Sequence, residues 1–388
     1  MRIVADENIP LVRDILSGFG QVDVFPANRI DAFAVRTADV LLVRSVTEVG
    51  PALLDEAATR FVGSATTGTD HVDAGYLAGR GIFFAHAPGS NAESVVEYVV
   101  AALVCLADRL DRPLEGLTVG VVGFGNIGSR LAPRLAAMDM RVLVNDPPLE
   151  RADLRFSRPF EPVPLPELLS RADVVTLHVP LTREGDHPTS GLIGAAEAGR
   201  MKEGAWLVNT SRGGVVDEAP VVHNRRAGRL GALVLDVWEN EPHVSDASLR
   251  HADLATPHIA GYSLEGKSRG TWMLYESLCD WAGREPADEV RRLLLPETDL
   301  VLESPAANLR EMSWRRELIR QLYDPFADDR RMRDMLALAA AERSAEFHRQ
   351  RRDYPTRRSW NLFVLDGRDL TERRAQFVEH VARVRVAG

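Results

Sequence analysis

The sequence has little cysteine, little lysine and no long apolar run, and each scarcity excludes a class of protein. Only two cysteines occur in 388 residues, and they form no CxxC pair, so we expect neither a disulfide scaffold nor a metal site. No apolar run approaches the roughly 18 residues that cross a bilayer, and the N-terminal MRIVADENIP has no signal-peptide pattern. These absences predict a protein of the reducing cytoplasm that has no membrane partner.

Basic residues are also fewer than acidic ones. The 56 acidic residues outnumber the 47 basic ones, which gives a net charge of -9. Proteins that bind nucleic acid normally carry a basic surface, so we expect no nucleic-acid partner. Of the basic residues, 45 are arginine and only Lys202 and Lys267 are lysine, a bias that we attribute to a GC-rich genome. The length predicts two or three domains.

Short apolar runs alternate with helical patterns along most of the chain. The patterns predict strands at 2–5, 40–43, 61–64, 82–85, 119–122, 141–145, 174–178, 205–209 and 232–236. They predict helices at 10–18, 53–59, 91–110 and 266–282, with a loop at 147–166. From about residue 286 the chain changes to charged helical stretches with a strand-like run at 362–365. Strands that alternate with helices favour an α/β fold with mainly parallel sheets.

A glycine-rich turn predicts a dinucleotide site. Strand 119–122 runs into GFGNIG (123–128) and a helix, and the next strand ends at Asp146. Gly123 permits the tight turn, Gly125 lets the backbone approach a pyrophosphate, and Gly128 lets the helix pack on the strand. A carboxylate at Asp146 accepts hydrogen bonds from the adenosine ribose and repels an added phosphate. We therefore predict NAD rather than NADP as the cofactor.

Three further polar residues follow successive predicted strands, and together they suit the oxidation of a 2-hydroxy acid. Arg212 offers a two-pronged cation for a carboxylate, and His258 offers a base for the hydroxyl proton. Glu241 can orient that histidine and stabilise its charged form. Taken singly, each has an ordinary alternative: a surface or phosphate-binding arginine, a solvated acid, and a hydrogen-bonded loop histidine. Their joint occurrence after a dinucleotide motif favours catalysis.

Four segments carry a family resemblance. GFGNIG, NTSRGGVVDE (209–218), LDVWENEP (235–242) and TPHIAG (256–261) resemble the D-isomer-specific 2-hydroxyacid dehydrogenase family, over about residues 1–285. The resemblance implies a flavodoxin-like α/β substrate domain at 1–95 with a return segment at 264–285. It implies a Rossmann-type, doubly wound NAD domain at 96–263 and leaves a small α+β C-terminal domain at 286–388. It also implies that Arg212, Glu241 and His258 are the catalytic residues.

More segments sharpen the resemblance to one branch of the family. These are ADENIP (5–10), VRSVT (43–47), GTDHVD (68–73), PGSNAESVVEY (88–98), PHIAGYSLEGKSRG (257–270) and YPTRRSW (354–360). The branch implies a phosphorylated 2-hydroxy acid as the substrate and a homodimer formed through the C-terminal domain. The alternatives are a domain that merely stabilises the chain, a dehydrogenase for another 2-hydroxy acid such as 3-phosphoglycerate, and a non-catalytic NAD-sensing protein.

The resemblance also carries other site residues to this chain, position by position. It implies substrate contacts at Ser45, Thr66 and Tyr262. It implies cofactor contacts at Gly123, Gly125, Asn126, Ile127, Gly128, Asp146, Val179, Thr210, Ser211, Arg212, Asp236 and Gly261.

Overall fold

The structure is a computed structural model, and it describes residues 1–151, 160–367 and 370–387. The chain divides into two compact units. The first contains Met1–Asn91 and Tyr262–Thr298, and the second contains Ala92–Gly261 and Asp299–Gly388.

The strands and helices alternate along the chain. The strands are β1 Arg2–Asp6, β2 Gln21–Phe25, β3 Val40–Val43, β4 Phe61–Ser64, β5 Phe83–His86, β6 Thr118–Val122, β7 Arg141–Asn145, β8 Glu161–Pro162, β9 Val174–Leu177, β10 Ala205–Asn209, β11 Leu230–Leu235, β12 Leu254–Ala255, β13 Leu300–Leu302, β14 Phe363–Asp366 and β15 Arg385–Ala387. The helices are α1 Val12–Leu16, α2 Ala32–Val35, α3 Pro51–Leu54, α4 Ala74–Gly79, α5 Ala92–Arg109, α6 Gly128–Ala136, α7 Pro147–Arg151, α8 Leu165–Arg171, α9 Ala195–Arg200, α10 Glu218–Arg226, α11 Asp246–His251, α12 Leu264–Trp281, α13 Asp288–Leu294, α14 Glu311–Leu322, α15 Pro325–Asp334, α16 Ala340–Arg352 and α17 Glu372–Gln376.

The first unit is built on a five-stranded parallel sheet in the order β2-β1-β3-β4-β5, which is the flavodoxin-like order. Its central strands, β3 and β4, are buried along their whole length, as a parallel strand covered on both faces must be. Leu274 and Leu278 of α12 pack into the core on one side of this sheet.

The second unit contains a seven-stranded parallel sheet in the order β12-β11-β10-β9-β6-β7-β8. The strand order reverses where β6 lies between β7 and β9. This is the doubly wound arrangement, in which ligands bind outside the carboxyl ends of the strands at the reversal. The α/β fold with Rossmann-type and flavodoxin-like sheets is therefore confirmed.

The C-terminal part of the second unit, residues 299–387, forms what we call the tail module. Its three strands pair in parallel in the order β13-β14-β15. Trp314 and Trp360 are fully buried. Met332, Met335 and Phe347 share one apolar core with residues that precede β12, among them Leu249 and Ala252. The tail module is thus packed against the residues around β12 rather than appended to them.

Three local predictions differ from the structure. Strand β2 is not predicted, because QVDVF places an aspartate in an edge strand that is only partly buried. Helix α3 spans Pro51–Leu54 rather than 53–59, since it begins with proline at its first position. The predicted loop at 147–166 is wrong where α7, β8 and α8 form, because proline is also compatible with the first turn of a helix. Residues 152–159 of that predicted loop lie outside the described residues.

Among the residues that the structure describes, no helix combines the length and the apolar character that a membrane span requires.

Candidate active site

The glycine turn joins β6 to α6 at the reversal point of the seven-stranded sheet. Gly123 has a φ of +89°, a left-handed value that glycine adopts readily. A Cβ atom at Gly128 would overlap the carbonyl oxygen of Gly123, so only glycine lets the helix pack this closely. A Cβ atom at Gly125 would meet nothing within 4 Å, and that open space is what a pyrophosphate needs. These residues fit a bound dinucleotide, with Asn126 and Ile127 completing the turn.

Asp146 lies directly after β7 and is half-buried. Its Oδ2 accepts the Phe124 N–H at 2.7 Å, and its Oδ1 accepts the Leu149 N–H at 3.1 Å. The carboxylate is therefore held against the glycine turn by its own hydrogen bonds. This is where an adenosine ribose would meet it in a doubly wound fold.

We expect Asp146→Ala to narrow the preference for NAD over NADP by about tenfold or more, because a carboxylate no longer repels the added phosphate. The measurement is kcat/KM with each cofactor. Glu203→Ala is the control, since this exposed acid precedes β10 at the opposite edge of the sheet and the preference should survive its loss. Equal use of both cofactors by the parent protein would contradict the assignment.

Val179 and His178 pack beside the glycine turn. A Cβ atom at Gly123 would lie 3.0 Å from Val179 Cγ1, so Val179 closes the turn by packing. The His178 ring bonds Thr176 Oγ1 at 2.9 Å and Thr210 Oγ1 at 3.4 Å. Burial lowers the pKa of His178 to about 3, which keeps the ring neutral. Sequence reasoning placed His178 in a strand and assigned it no role.

The arginine loop, residues 209–214, is organised by a residue that sequence reasoning did not single out. Asn209 Oδ1 accepts hydrogen bonds from the Ser211 hydroxyl at 2.7 Å and from the Ser211 N–H at 3.1 Å. Asn209 Nδ2 donates to the Arg212 carbonyl at 3.1 Å. The loop then passes directly over the next one, because a Cβ atom at Gly213 would overlap the carbonyl group of Trp238. Asn209 and Gly213 therefore fix the backbone that presents Arg212, whose side chain is half-buried.

Glu241 and His258 form a close pair. His258 Nδ1 lies 2.7 Å from Glu241 Oε2, and the Trp238 N–H donates to Glu241 Oε1 at 2.9 Å. Because a carboxylate only accepts, Nδ1 carries the proton and Nε2 is left as an acceptor. Burial raises the pKa of Glu241, but the charge and hydrogen bond of His258 and the Trp238 N–H outweigh it and lower that pKa below its usual value.

The histidine loop, residues 256–261, holds His258 in an uncommon backbone conformation. Its φ is +57°, a left-handed value that a non-glycine residue keeps only where its surroundings fix it. The surroundings include Asp236, which is 1% exposed. Its Oδ1 accepts the Thr256 hydroxyl at 2.6 Å and the Ile259 N–H at 2.8 Å, and its Oδ2 accepts the Ala260 N–H at 2.9 Å. Asp236 thus fixes the backbone of the histidine loop, and this role does not depend on a cofactor contact.

We expect Glu241→Gln to move the acid limb of the kcat/KM profile to lower pH, because the imidazolium loses the carboxylate that stabilises it. Turnover should fall by about 10²-fold or more, as when other histidine–acid pairs are broken. The profile is measured across the titration range of histidine. Glu239→Gln is the matched control, an exposed acid two residues away whose replacement should leave the profile in place. An unmoved acid limb in Glu241→Gln would remove Glu241 from this role.

The predicted substrate residues lie in the first unit. Ser45 is exposed in the turn after β3, and Thr66 follows β4. The Thr66 hydroxyl bonds Ser64 Oγ at 2.7 Å and donates to the Gly68 carbonyl at 2.9 Å. Tyr262 is half-buried, with the Lys267 ammonium 4.6 Å from its ring centre. Gly261 is the last residue of the segment Ala92–Gly261 of the second unit.

Comparison with known proteins agrees with this geometry. Residues 106–260 match the model of the D-isomer specific 2-hydroxyacid dehydrogenase NAD binding domain. Residues 294–378 match a domain of unknown function, DUF3410. A D-lactate dehydrogenase from Aquifex aeolicus, solved with NAD and lactic acid, superposes with a TM-score of 0.61 at 25% identity, covering 72% of this chain and 95% of that one.

The fold and the match define the class: the chain is an NAD-dependent dehydrogenase of small 2-hydroxy acids. It is 51% identical over 369 residues to the erythronate-4-phosphate dehydrogenase of Salinibacter ruber, covering 95% of this chain and 94% of that protein. It is 45% identical to the enzyme of the same name from Azotobacter vinelandii, covering 92% and 93%. The chain belongs to the erythronate-4-phosphate dehydrogenase family.

Proposed function

We propose that the chain oxidises 4-phospho-D-erythronate at C2 to 3-hydroxy-2-oxo-4-phosphooxybutanoate, as a step in the biosynthesis of pyridoxal 5′-phosphate in the cytoplasm. The observation that carries this proposal is the 51% identity to the Salinibacter ruber relative over 95% of the chain. That identity spans the tail module as well as the two sheets described above.

The proposed mechanism assigns one task to each residue. Arg212 binds the substrate carboxylate through its guanidinium fork. His258 Nε2 accepts the C2 hydroxyl proton as the C2 hydride leaves and the C2=O bond forms, and Glu241 stabilises the resulting imidazolium. The glycine turn and Asp146 would hold NAD, which would supply the hydride acceptor. We propose that Ser45, Thr66 and Tyr262 contact the substrate.

A substrate panel tests the proposal. NADH formation is followed with 4-phosphoerythronate, erythronate, 3-phosphoglycerate and lactate at equal concentrations. We expect the highest kcat/KM with 4-phosphoerythronate and a much lower value with erythronate, which lacks the phosphate. A preference for 3-phosphoglycerate would replace the substrate assignment, and the absence of turnover with all four acids would favour an NAD-sensing protein.

We also propose that the chain forms a homodimer through the tail module. Strand β13 lies at the edge of the three-stranded sheet, and its central residue, Val301, is 84% exposed. Its neighbour across the sheet is the apolar Val364. An exposed apolar edge strand is a surface that a second copy can cover, and homo-oligomers usually pair one surface about a two-fold axis.

We expect Val301→Asp to shift the mass in solution from dimer to monomer, because a carboxylate on that edge opposes burial. Light scattering coupled to gel filtration provides the measurement. Phe33→Asp is the matched control, since Phe33 is also 84% exposed but lies in the first unit. A Val301→Asp protein that remained dimeric would exclude this edge as the interface.

A further inference from the structure

A buried arginine of the tail module contacts the histidine loop. Arg357 lies in the YPTRRSW segment and is 6% exposed. Its Nη2 donates to the Ala260 carbonyl in the histidine loop and to the Ser94 carbonyl of α5, the latter at 2.9 Å. Its guanidinium carbon lies 4.7 Å from the centre of the Tyr323 ring. A guanidinium in this position holds the loop two residues after His258.

The tail module also holds the residues that precede His258. Asp329 Oδ1 accepts the Ala255 N–H at 2.8 Å. Arg333 donates to the Leu249 carbonyl at 2.9 Å and to the Ala252 carbonyl at 2.7 Å, and it bonds Asp329 at 2.8 Å. The approach to the histidine loop is therefore fixed by α15, and its far side is fixed by Arg357.

The segment that carries Arg357 is itself anchored in the second unit. The Trp360 N–H donates to Glu97 Oε1 of α5 at 2.8 Å. The hydroxyls of Tyr354 and Tyr323 both donate to Asp328 Oδ2 at 2.7 Å. These hydrogen bonds are buried or partly buried, so the packing of the tail module fixes the position of Arg357.

Two groups thus hold the residues that directly follow His258. Asp236 accepts the Ile259 and Ala260 N–H groups, and Arg357 donates to the Ala260 carbonyl. We propose that Arg357 is a positioning residue for catalysis, which acts by keeping the histidine loop in the left-handed conformation that presents His258. This inference rests on the proposed role of His258, and it gives the tail module a task in the reaction beyond dimer formation.

The test combines Arg357→Met with His258→Ala in a double-mutant cycle. Methionine keeps an unbranched apolar chain but donates no hydrogen bond. We expect kcat per folded molecule to fall by about 10- to 100-fold in the parent background, because small displacements of a catalytic group have effects of this size. In the His258→Ala background, the same change should hardly affect the residual turnover, since nothing remains to be positioned. The Kd for NADH should change much less than kcat in each case, because the change spares the glycine turn and Asp146.

Arg374→Met is the matched control. Arg374 is also 6% exposed, donates to two backbone carbonyls, those of Ala307 and Leu309, and lies 4.9 Å from an aromatic ring, that of Trp314. None of these groups belongs to the histidine loop. We expect Arg374→Met to lower the melting temperature and to leave kcat per folded molecule unchanged.

Arg357→Lys repeats the cycle with a change that keeps the charge and a donor, and it replaces the methionine variant if that variant does not fold. We expect a smaller loss of kcat than with methionine. An unchanged kcat per folded molecule, or the same fold-loss in both backgrounds, would overturn the inference. Near-normal turnover of His258→Ala alone would instead contradict the proposed function.

Discussion

Replacement of His258 by alanine is expected to lower turnover by about 10²- to 10⁴-fold, the range that a positioned general base contributes. The geometry gives the reason. Nδ1 is occupied by Glu241 at 2.7 Å, so Nε2 is the ring atom that can accept a proton. Without the ring, water is left to accept the hydroxyl proton as the hydride leaves, and water is a much weaker base than imidazole.

The same variant should bind NADH almost as the parent does, because the glycine turn and Asp146 do not involve His258. Fluorescence titration with NADH measures this directly. His251→Ala is the control, since among the described residues this half-buried histidine on α11 bonds only its own helix, at the Ala247 carbonyl. Near-normal turnover of His258→Ala would remove His258 from the mechanism.

Arg212→Lys is expected to lower kcat/KM by about 10- to 100-fold, as the loss of a charge-assisted hydrogen bond worth about 1.5–3 kcal/mol would do. A lysine keeps the charge but offers a single ammonium in place of the planar fork. Both substrate binding and rate should suffer, because a carboxylate held by one point can rotate away from His258. Steady-state kinetics with 4-phosphoerythronate give both quantities.

Arg225→Lys separates this effect from a general loss of stability. Arg225 also forms a two-pronged contact, with Nε and Nη2 at 2.6 and 2.7 Å from the two oxygens of Asp253. The substitution therefore removes a comparable two-pronged contact elsewhere in the second unit and should leave the KM for the substrate unchanged. If Arg212→Lys behaved like Arg225→Lys, the carboxylate would be bound by another group.

The parts of the site that local patterns can reveal were predicted from the sequence. Continuous apolar runs predict the buried central strands, and GFGNIG followed by Asp146 predicts the turn that the structure describes. The structure brings Glu241 and His258 together across 17 residues of sequence. The catalytic roles of Arg212, Glu241 and His258 stay predictions until the variants above are measured.

The contacts that sequence reasoning missed depend on distant parts of the chain or on the geometry of a single loop. Arg357 and Ala260 are 97 residues apart, and no spacing rule connects them. Asn209 is the first residue of the NTSRGGVVDE segment, which carries the family resemblance. Its amide bonds Ser211 and Arg212 of its own loop, and no sequence pattern predicts these hydrogen bonds. Strand β2 was missed for a simpler reason, since its half-exposed pattern lacks a continuous apolar run.

Gly213 is a position that must stay glycine when this enzyme is redesigned. Its α-carbon sits so close to the Trp238 carbonyl that any side chain would collide with main-chain atoms, which cannot rotate away as a side chain can. Residue 213 therefore ties the segment that presents Arg212 to the one that presents Glu241, and the two cannot be altered independently. A library intended to change the accepted acid should diversify the proposed substrate contacts Ser45, Thr66 and Tyr262 and keep position 213 as glycine.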